Sequence, residues 1–525
     1  MVFKWNVHEL LFKSEKNYVN PYKDVHAEIV LESPGGIECT IPCFWDSNNT
    51  WKARFAPWET GVWKWTAVSD HKEDPGFNRG GTFQVAEYEG FNPIFKHGFL
   101  KISKNGRGFV HADETPFFWL GDTVWSAPSR ATEEEWKEYI TYRSSQGFNL
   151  IQVNALEQHD SSGDNEQRSP FEETDGIWDM ERINPLYFRQ LDKTVEAALK
   201  VGIYTAMVVL WSSLVPETNP MWDVEKRNLF TADYAAAYAG YLAARYSAYG
   251  VIWIISGDTD FLAPKAIDIY DSAAQAILAS STYTSPITAH LNTSCPTPAE
   301  LNKRDWHQFH MIQSSHSRTS HEVITNYASK NRELIPIKPV LNGEPPYEQI
   351  GYWNEGVRAE RSYVRYVAWI SILAGANAGI TYGAHGLWSW HREGEVFANE
   401  SMWMMPEDWR IALRYEGAND FIRLKKFFES IPWWELEPNN NIILNNDGSI
   451  VAASTPDQSI IVAYVREAHS FDIDIPRCNK FDIQWFDPIS GKYENAKAEH
   501  EDGTFLHIDQ NFWNGEGVLL VCKSV

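Results

Sequence analysis

The chain has 525 residues and a formal net charge of −24, with 43% hydrophobic and 22% charged residues. At roughly 100–200 residues per domain, this length predicts a globular protein of about two to four domains. The excess negative charge repels phosphate backbones and anionic lipids, which argues against a nucleic-acid or membrane partner.

Aromatic residues make up 14% of the chain, and 24 of them are tryptophans. A tryptophan offers a large flat apolar surface and one N–H donor, which suits the C–H faces of sugar rings. We expect more than half of the tryptophans to pack in domain cores. The composition therefore favours a neutral ligand such as a carbohydrate.

The cysteines and the N-terminus indicate the compartment. Residues 1–11 lack an apolar stretch of signal-peptide length, and no apolar run is long enough to cross a bilayer. We expect a cytoplasmic protein, or a secreted one if a leader has been removed. Reduced thiols are the expectation for the five cysteines, which show no CxxC spacing: Cys39, Cys43, Cys295, Cys478 and Cys522.

The N-terminal region, residues 1–90, has the pattern of an all-β domain. Alternating apolar positions and frequent turns, such as the one at residues 59–61, are typical of a β-sandwich. The predicted strands cover residues 24–32, 51–57, 61–67 and 80–85.

The middle region, residues 91–432, alternates short apolar runs with helical patterns. Its predicted strands cover residues 117–122, 147–154, 202–210, 251–255, 286–290, 307–313, 336–342 and 379–382. One helix opens at Thr132, with Glu135 in the capping-box position. Further helices are predicted over residues 184–201, 232–249, 263–280, 320–331 and 359–374.

This alternation predicts a (β/α)8 barrel of the TIM type, because eight buried strands each precede a helix or a long loop. A doubly wound sheet is the alternative fold. The sequence has neither a GxGxxG after the first strand nor a P-loop to favour it.

The C-terminal region, residues 433–525, is again all-β and predicts a second sandwich. Its strands cover residues 449–454, 459–465, 481–491 and 517–521.

Polar and aromatic side chains follow almost every predicted barrel strand, where the loops of a barrel build its active site. The candidate substrate-binding residues are Asp122, Trp125, Asn154, Trp211, Asp260, His290, Gln313, His316, Tyr347, Tyr382, His385 and Trp388. Each has a structural alternative. Asp122 is also placed to cap a helix, His290 and Gln313 to satisfy buried polar groups, and the tryptophans to pack.

Two carboxylates stand out among these strand ends. Asp258 follows the fourth strand and Glu344 follows the seventh, so both face one pocket across the barrel mouth. Two carboxyl groups roughly 5–5.5 Å apart can cleave a glycosidic bond with retention, one as general acid/base and the other as nucleophile. We assign these roles to Asp258 and Glu344. Asp260 competes with Asp258, and either carboxylate could instead cap a helix or pair with an arginine.

Metal or cofactor chemistry has weak support in the sequence. Asp258 and Asp260 resemble a pair of ligands for a hard cation, but further oxygen ligands at suitable spacing are missing. There is no HExxH motif and no GxSxG elbow. We therefore predict a site without a metal or cofactor.

Four segments, at residues 118–125, 147–154, 251–258 and 342–348, resemble the apiosidase-like glycoside hydrolases, as does Gly383–Trp390. The resemblance covers residues 92–431. It implies a (β/α)8 barrel with an aspartate acid/base after strand four and a glutamate nucleophile after strand seven, which correspond to Asp258 and Glu344. The family more often has a second glycine where this chain has Ser256. The terminal regions resemble the β-sandwiches that flank such barrels.

These observations together predict a retaining glycoside hydrolase that acts on a plant or microbial oligo- or polysaccharide. The only partner expected is the carbohydrate, and a homo-oligomer is compatible with the sequence. Two alternatives remain open. One is a non-catalytic carbohydrate-binding protein on a barrel scaffold, and the other is a metal-dependent hydrolase.

Overall fold

The computed structural model describes residues 2–157, 162–163, 169–218, 229–283, 285–293, 296–353, 355–475, 481–501, 505–510, 513 and 515–523. Its centre is a sheet of eight parallel strands, and mainly antiparallel sheets lie in the N-terminal and C-terminal regions. The predicted fold, a (β/α)8 barrel with flanking β-sandwiches, is confirmed.

The barrel strands are short and buried. They are β1 Trp119–Thr123, β2 Leu150–Asn154, β3 Tyr204–Trp211, β4 Ile252–Gly257, β5 Ile287–Thr288, β6 His310–Gln313, β7 Val340–Glu344 and β8 Gly379–Tyr382. Their order is β5-β4-β3-β2-β1-β8-β7-β6. An isolated parallel bridge between His290 and Met311 joins the two ends, so His290, which follows β5, lies where the barrel closes.

Helices follow the strands. They are α1 Glu133–Gln146, α2 Pro185–Lys200, α3 Ala232–Tyr246, α4 Pro264–Ser280, α5 Ala299–Asn302, α6 Ser320–Glu333, α7 Arg361–Leu373 and α8 Gly417–Glu429. The predicted capping box is present, since the Thr132 side chain accepts from the Glu135 N–H and the Glu135 carboxylate accepts from the Thr132 N–H. It satisfies two amide donors at the start of α1.

Several predicted strands differ from the observed ones in where they begin or end. Strand β7 begins at Val340 instead of residue 336, because Pro336 and Pro339 lack the N–H donor that a central strand needs. Glu344 is therefore the last residue of β7 and does not follow it. Strands β5 and β6 are likewise shorter than predicted.

The N-terminal region forms two sheets that share one hydrophobic core. The five-stranded sheet contains Val2–Phe3, Gly80–Ala86, Gly61–Ser69, Ala27–Glu32 and Glu38–Pro42, and the three-stranded sheet contains His8–Lys13, Thr50–Phe55 and Phe44–Ser47. Trp51 of one sheet and Trp63 of the other are fully buried in this core. The strands on either side of the predicted turn at residues 59–61 therefore belong to different sheets.

The C-terminal region also forms two sheets around one core, in which Trp485 is buried. The six-stranded sheet contains Glu437–Pro438, Ile450–Ser454, Ile460–Val465, Gly517–Lys523, Phe481–Phe486 and Tyr493–Asn495. The four-stranded sheet contains Ile443–Leu444, Phe471–Ile473, Phe505–Ile508 and Ala498–Glu501.

Several smaller strands and helices lie between or beside these sheets. They are the sheet of Leu100–Ile102, Phe109–His111 and Pro116–Phe117, the hairpin of Phe171–Thr174 and Ile177–Ile183, and the short helices Pro21–Asp24, Pro93–His97, Ala127–Arg130, Glu400–Trp403 and Trp409–Ala412. Single 3-10 turns are found at Ser212–Leu214, Ser247–Tyr249, Trp433–Glu435 and Asn440–Ile442.

Buried ion pairs join the N-terminal sandwich to the barrel. The guanidinium of Arg54, in the sandwich, donates to both carboxylate oxygens of Asp192 in α2, at 3.1 and 2.8 Å. Arg245 in α3 donates to the same carboxylate at 2.7 Å and to Asp46 of the sandwich at 3.0 Å. Because these side chains are nearly inaccessible to solvent, separating the two parts would leave buried charges unpaired.

The cysteines in the part of the chain that the structure describes, Cys39, Cys43 and Cys522, are free thiols. Cys295 and Cys478 lie outside the described residues. Among the helices described, we find none long and apolar enough to cross a bilayer.

Candidate active site

A narrow pocket with a cavity volume of about 70 Å³ opens where the carboxyl ends of the barrel strands meet. Barrel enzymes carry their active sites at this end. The pocket is lined by Trp125, Trp211, Asp258, Gln313, His316, Glu344, Tyr347, Ile350, Trp388 and Trp403.

The two predicted catalytic carboxylates meet in this pocket. One oxygen of Asp258 and one of Glu344 lie within 4.8 Å of each other. The Glu344 side chain is 6% exposed and that of Asp258 is 16% exposed. Asp258 has a φ of +50°, a left-handed conformation that aspartate and asparagine adopt more readily than most residues.

His290 lies between the two carboxylates. Its Nδ1 accepts a hydrogen bond from the backbone N–H of Asp258 at 3.3 Å, which leaves the proton of the neutral imidazole on Nε2. Nε2 lies 2.8 Å from Oε2 of Glu344. Burial lowers the pKa of His290, but the carboxylates of Glu344 and Asp258 raise it above its ordinary value. The imidazole thus contacts the backbone of Asp258 on one side and the carboxylate of Glu344 on the other.

The other oxygen of Glu344 is also held. The Tyr347 hydroxyl donates to Oε1 at 2.7 Å and itself accepts from Nε1 of Trp125 at 2.9 Å. Nε2 of His316 lies 3.2 Å from the same oxygen. Burial raises the pKa of Glu344, but contacts with His290 and His316 outweigh it and lower the pKa well below the ordinary value. Glu344 is therefore a carboxylate at neutral pH.

Tryptophans form the walls of the pocket. The Trp211 ring lies on the backbone of Gly257, where a Cβ atom would come within 2.1 Å of it. Trp125 meets Trp211 edge to face, with ring centroids 5.6 Å apart. Trp388 donates from Nε1 to Nδ1 of His385 at 3.2 Å. The last residue of β4 therefore has to be glycine for the Trp211 ring to lie where it lines the pocket.

Several predicted substrate-binding residues do not line the pocket. The Tyr382 hydroxyl donates to Glu348 at 2.5 Å, and neither side chain lines the pocket. His385 positions Trp388, and its Nε2 lies 2.8 Å from the carbonyl oxygen of Met404. Asn154 ends β2 as a buried residue, and Asp260 accepts from the Leu262 N–H at 3.0 Å. Asp258, and not Asp260, is the aspartate clustered with Glu344.

Asp122 is fully buried between β1 and α1 instead of in the pocket. Its Oδ2 accepts from Nε of Arg143 at 2.6 Å and from the Tyr139 hydroxyl at 2.8 Å. Both side chains of the ion pair are 0% exposed. Asp122 therefore joins the first strand to the first helix.

Replacing Asp122 by asparagine should lower the free energy of unfolding by about 3–5 kcal/mol, because the Arg143 charge stays buried without its counter-charge. The urea midpoint of the fluorescence-detected transition measures the effect. The control is Glu300→Gln, in an exposed pair with Lys303, which should leave the midpoint unchanged. Equal midpoints for the two variants, or a raised KM in Asp122→Asn with normal stability, would contradict this assignment.

Two residues of the pocket were not predicted from the sequence. Ile350 lies in the loop after β7, and Trp403 belongs to the short helix in the long loop after β8. The abundance of tryptophan in residues 388–409 is the one sequence signal that points to this loop.

The carboxylates and His290 also form the one group, among the residues that the structure describes, with the spacing of a metal site. One ligand atom each from Asp258, His290 and Glu344 lies within 4.8 Å of the others. These are ligand types that divalent transition metals accept. In the observed arrangement, however, Nε2 of His290 lies at hydrogen-bonding distance from Glu344.

Comparison with known proteins supports a hydrolytic role. The sequence profile described as "Apiosidase-like, catalytic domain" matches residues 103–435. The profile described as "Domain of unknown function (DUF5060)" matches residues 1–70. No curated protein matches this sequence.

Solved structures share the fold. A putative glycoside hydrolase from Bacteroides vulgatus has a TM-score of 0.75 and 18% identity, over 100% of this chain and 99% of that one. A glycoside hydrolase family 5 structure from the same organism has a TM-score of 0.69 and 24% identity, over 83% and 95% of the two chains. A structure described only as a glycoside hydrolase has a TM-score of 0.69 and 25% identity, over 83% and 99%.

Proposed function

Because this chain belongs to the apiosidase-like glycoside hydrolases, we propose that it cleaves a glycosidic bond with retention of configuration. The observation that carries the proposal is the separation of Asp258 and Glu344, which have oxygens within 4.8 Å of each other. Retaining enzymes need about 5–5.5 Å between their carboxyl groups, whereas inverting enzymes leave about 6.5–9.5 Å for a water molecule.

In the first step, a carboxylate oxygen of Glu344 attacks the anomeric carbon while Asp258 transfers its proton to the departing glycosidic oxygen. The bond from carbon to the leaving oxygen breaks as the glycosyl ester forms. In the second step, Asp258 takes a proton from water, and the water oxygen displaces Glu344 from the anomeric carbon. Two inversions restore the original configuration.

The surroundings of Glu344 suit the role of nucleophile. Its low pKa keeps it ionised, Tyr347 and His316 contact one of its oxygens, and His290 lies 2.8 Å from the other. Such contacts fix the attacking atom before the substrate arrives, which lowers the entropic part of the barrier. The Asp258 side chain is the more exposed of the two, and this leaves it accessible to the leaving group and later to water.

The walls of the pocket suit a neutral sugar ring. Trp125, Trp211 and Trp388 supply flat apolar surfaces, and Gln313 supplies an amide that can bond to a hydroxyl group. We propose that the substrate class is a plant or microbial oligo- or polysaccharide.

The stereochemistry of the product tests this mechanism. Purified enzyme should be screened on plant and microbial oligosaccharides and on 4-nitrophenyl glycosides, and the first product formed should be observed by proton NMR. The anomer released first should match that of the substrate. Release of the opposite anomer would contradict the mechanism, and binding without turnover across the panel would favour a non-catalytic carbohydrate-binding protein.

A metal-dependent hydrolase is the second candidate, and the cluster of Asp258, His290 and Glu344 is the observation that favours it. Elemental analysis of the purified protein and assays after EDTA treatment test it. The glycosidase mechanism expects full activity in EDTA, whereas loss of activity that is restored by a divalent ion would favour the metal enzyme.

A further inference from the structure

An exposed tryptophan stands outside the pocket in the loop after β7. Trp353 is 52% exposed, and its ring lies 6.0 Å from that of Trp403, at an angle of 72°. Trp403 lines the pocket, and its ring lies 5.6 Å from that of His316, which contacts Glu344. A row of rings therefore leads from the proposed nucleophile to solvent.

The two tryptophans are held in place by bonds between two loops. The N–H of Gly351, after β7, donates to the carbonyl oxygen of Trp403 at 2.9 Å. Arg358 donates to the carbonyl oxygens of Gln349 at 2.6 Å and Met405 at 2.7 Å. A Cβ atom on Gly351 would lie 2.8 Å from the Trp403 oxygen, so this close approach depends on the glycine. The two loops that carry Trp353 and Trp403 are therefore bonded to each other.

Two further apolar side chains in these loops are exposed. Val357 in the same loop is 42% exposed, and Met405 across the junction is 36% exposed. Exposed apolar patches on a soluble protein commonly mark a binding site, and Trp353 is the largest of these exposed side chains. The rings of Trp353 and Trp403 lie at 72° to each other. They form a corner in which one ring can contact the face of a sugar and the other ring its edge.

We propose that Trp353 and Trp403 bind a second sugar ring, one that is attached to the ring whose bond is cleaved. This inference rests on the proposed function and specifies its substrate. Trp353 does not line the pocket, so we expect a glycoside with a single sugar to contact the pocket without Trp353 and an oligosaccharide to contact both. The continuity of the aromatic row with the pocket is the reason to place saccharide, and no other partner, on this surface.

The test compares substrates of two lengths in three variants. Trp353→Ala should lower kcat/KM for oligosaccharides of two or more rings about tenfold, since one lost stacking contact is worth about 1.4 kcal/mol. For the 4-nitrophenyl glycoside of the corresponding single sugar, the change should stay within about twofold. Trp353→Phe should keep most of the oligosaccharide activity. Phe91→Ala, at a fully exposed aromatic position in the segment before the barrel, should change neither rate.

Equal losses on short and long substrates, or no loss on either, would overturn the inference while the glycosidase function stands. Turnover of no glycoside by the wild-type enzyme would overturn the proposed function and this inference with it. A lower thermal midpoint in Trp353→Ala does not affect the result, because the ratio of the two rates is measured on the same preparation.

Discussion

Replacing Glu344 by glutamine should abolish turnover, lowering kcat by about 10⁴-fold or more, while the substrate still binds. The amide has nearly the size of the carboxylate, and its oxygen can still accept the hydrogen bond that Tyr347 donates at 2.7 Å. What is lost is the negative charge that attacks the anomeric carbon. Single-turnover assays with 4-nitrophenyl glycosides measure the rate, and calorimetry with the oligosaccharide substrate measures binding.

Glu348→Gln is the matched control. Glu348 is also a buried glutamate, four residues further along, and it accepts hydrogen bonds from Tyr382 and from the Gly417 N–H outside the pocket. A protein that folds with this change should keep its activity within about tenfold. Comparable rates for the two variants would remove Glu344 from the role of nucleophile, and a loss of binding in Glu344→Gln would assign it to substrate binding instead.

The sequence predicts the barrel strands and the two facing carboxylates well, because the strands show as apolar runs and the carboxylates stand at their ends. Continuous apolar runs indicate buried parallel strands, and the residues after them must lie at one mouth. Asp122 shows where this reasoning fails. A strand that is buried on both sides has no polar alternation, so the sequence does not reveal that this carboxylate faces Arg143 on α1 and not the barrel axis.

Contacts between loops are the second feature that the sequence does not predict. Trp353 and Trp403 come together through bonds made by Gly351 and Arg358, between loops separated by a helix and a strand. No periodicity in the sequence encodes such a junction. His290 is an intermediate case. The pattern places it after the fifth strand, but its position between two carboxylates follows from a closure of the barrel that only the structure shows.

Replacing Asp258 by asparagine should slow hydrolysis of substrates with poor leaving groups by about 10²–10⁴-fold. The asparagine has no acidic proton for the departing oxygen, so the sugar-to-sugar bond breaks slowly. A 4-nitrophenyl glycoside needs little protonation and should still react with Glu344. The missing base then delays hydrolysis of the ester, and we expect a burst of nitrophenol followed by slow turnover. Stopped-flow absorbance measures both phases.

Asparagine is the informative replacement because it also adopts the left-handed conformation that Asp258 has, with its φ of +50°. The backbone N–H of residue 258 can then still donate to His290, which keeps the imidazole in contact with Glu344. Asp260→Asn is the control, since its side-chain oxygen can still accept from the Leu262 N–H. If Asp260→Asn showed the burst and the loss on poor leaving groups while Asp258→Asn did not, the acid/base would be Asp260. The 4.8 Å spacing to Glu344 would then lose its mechanistic meaning.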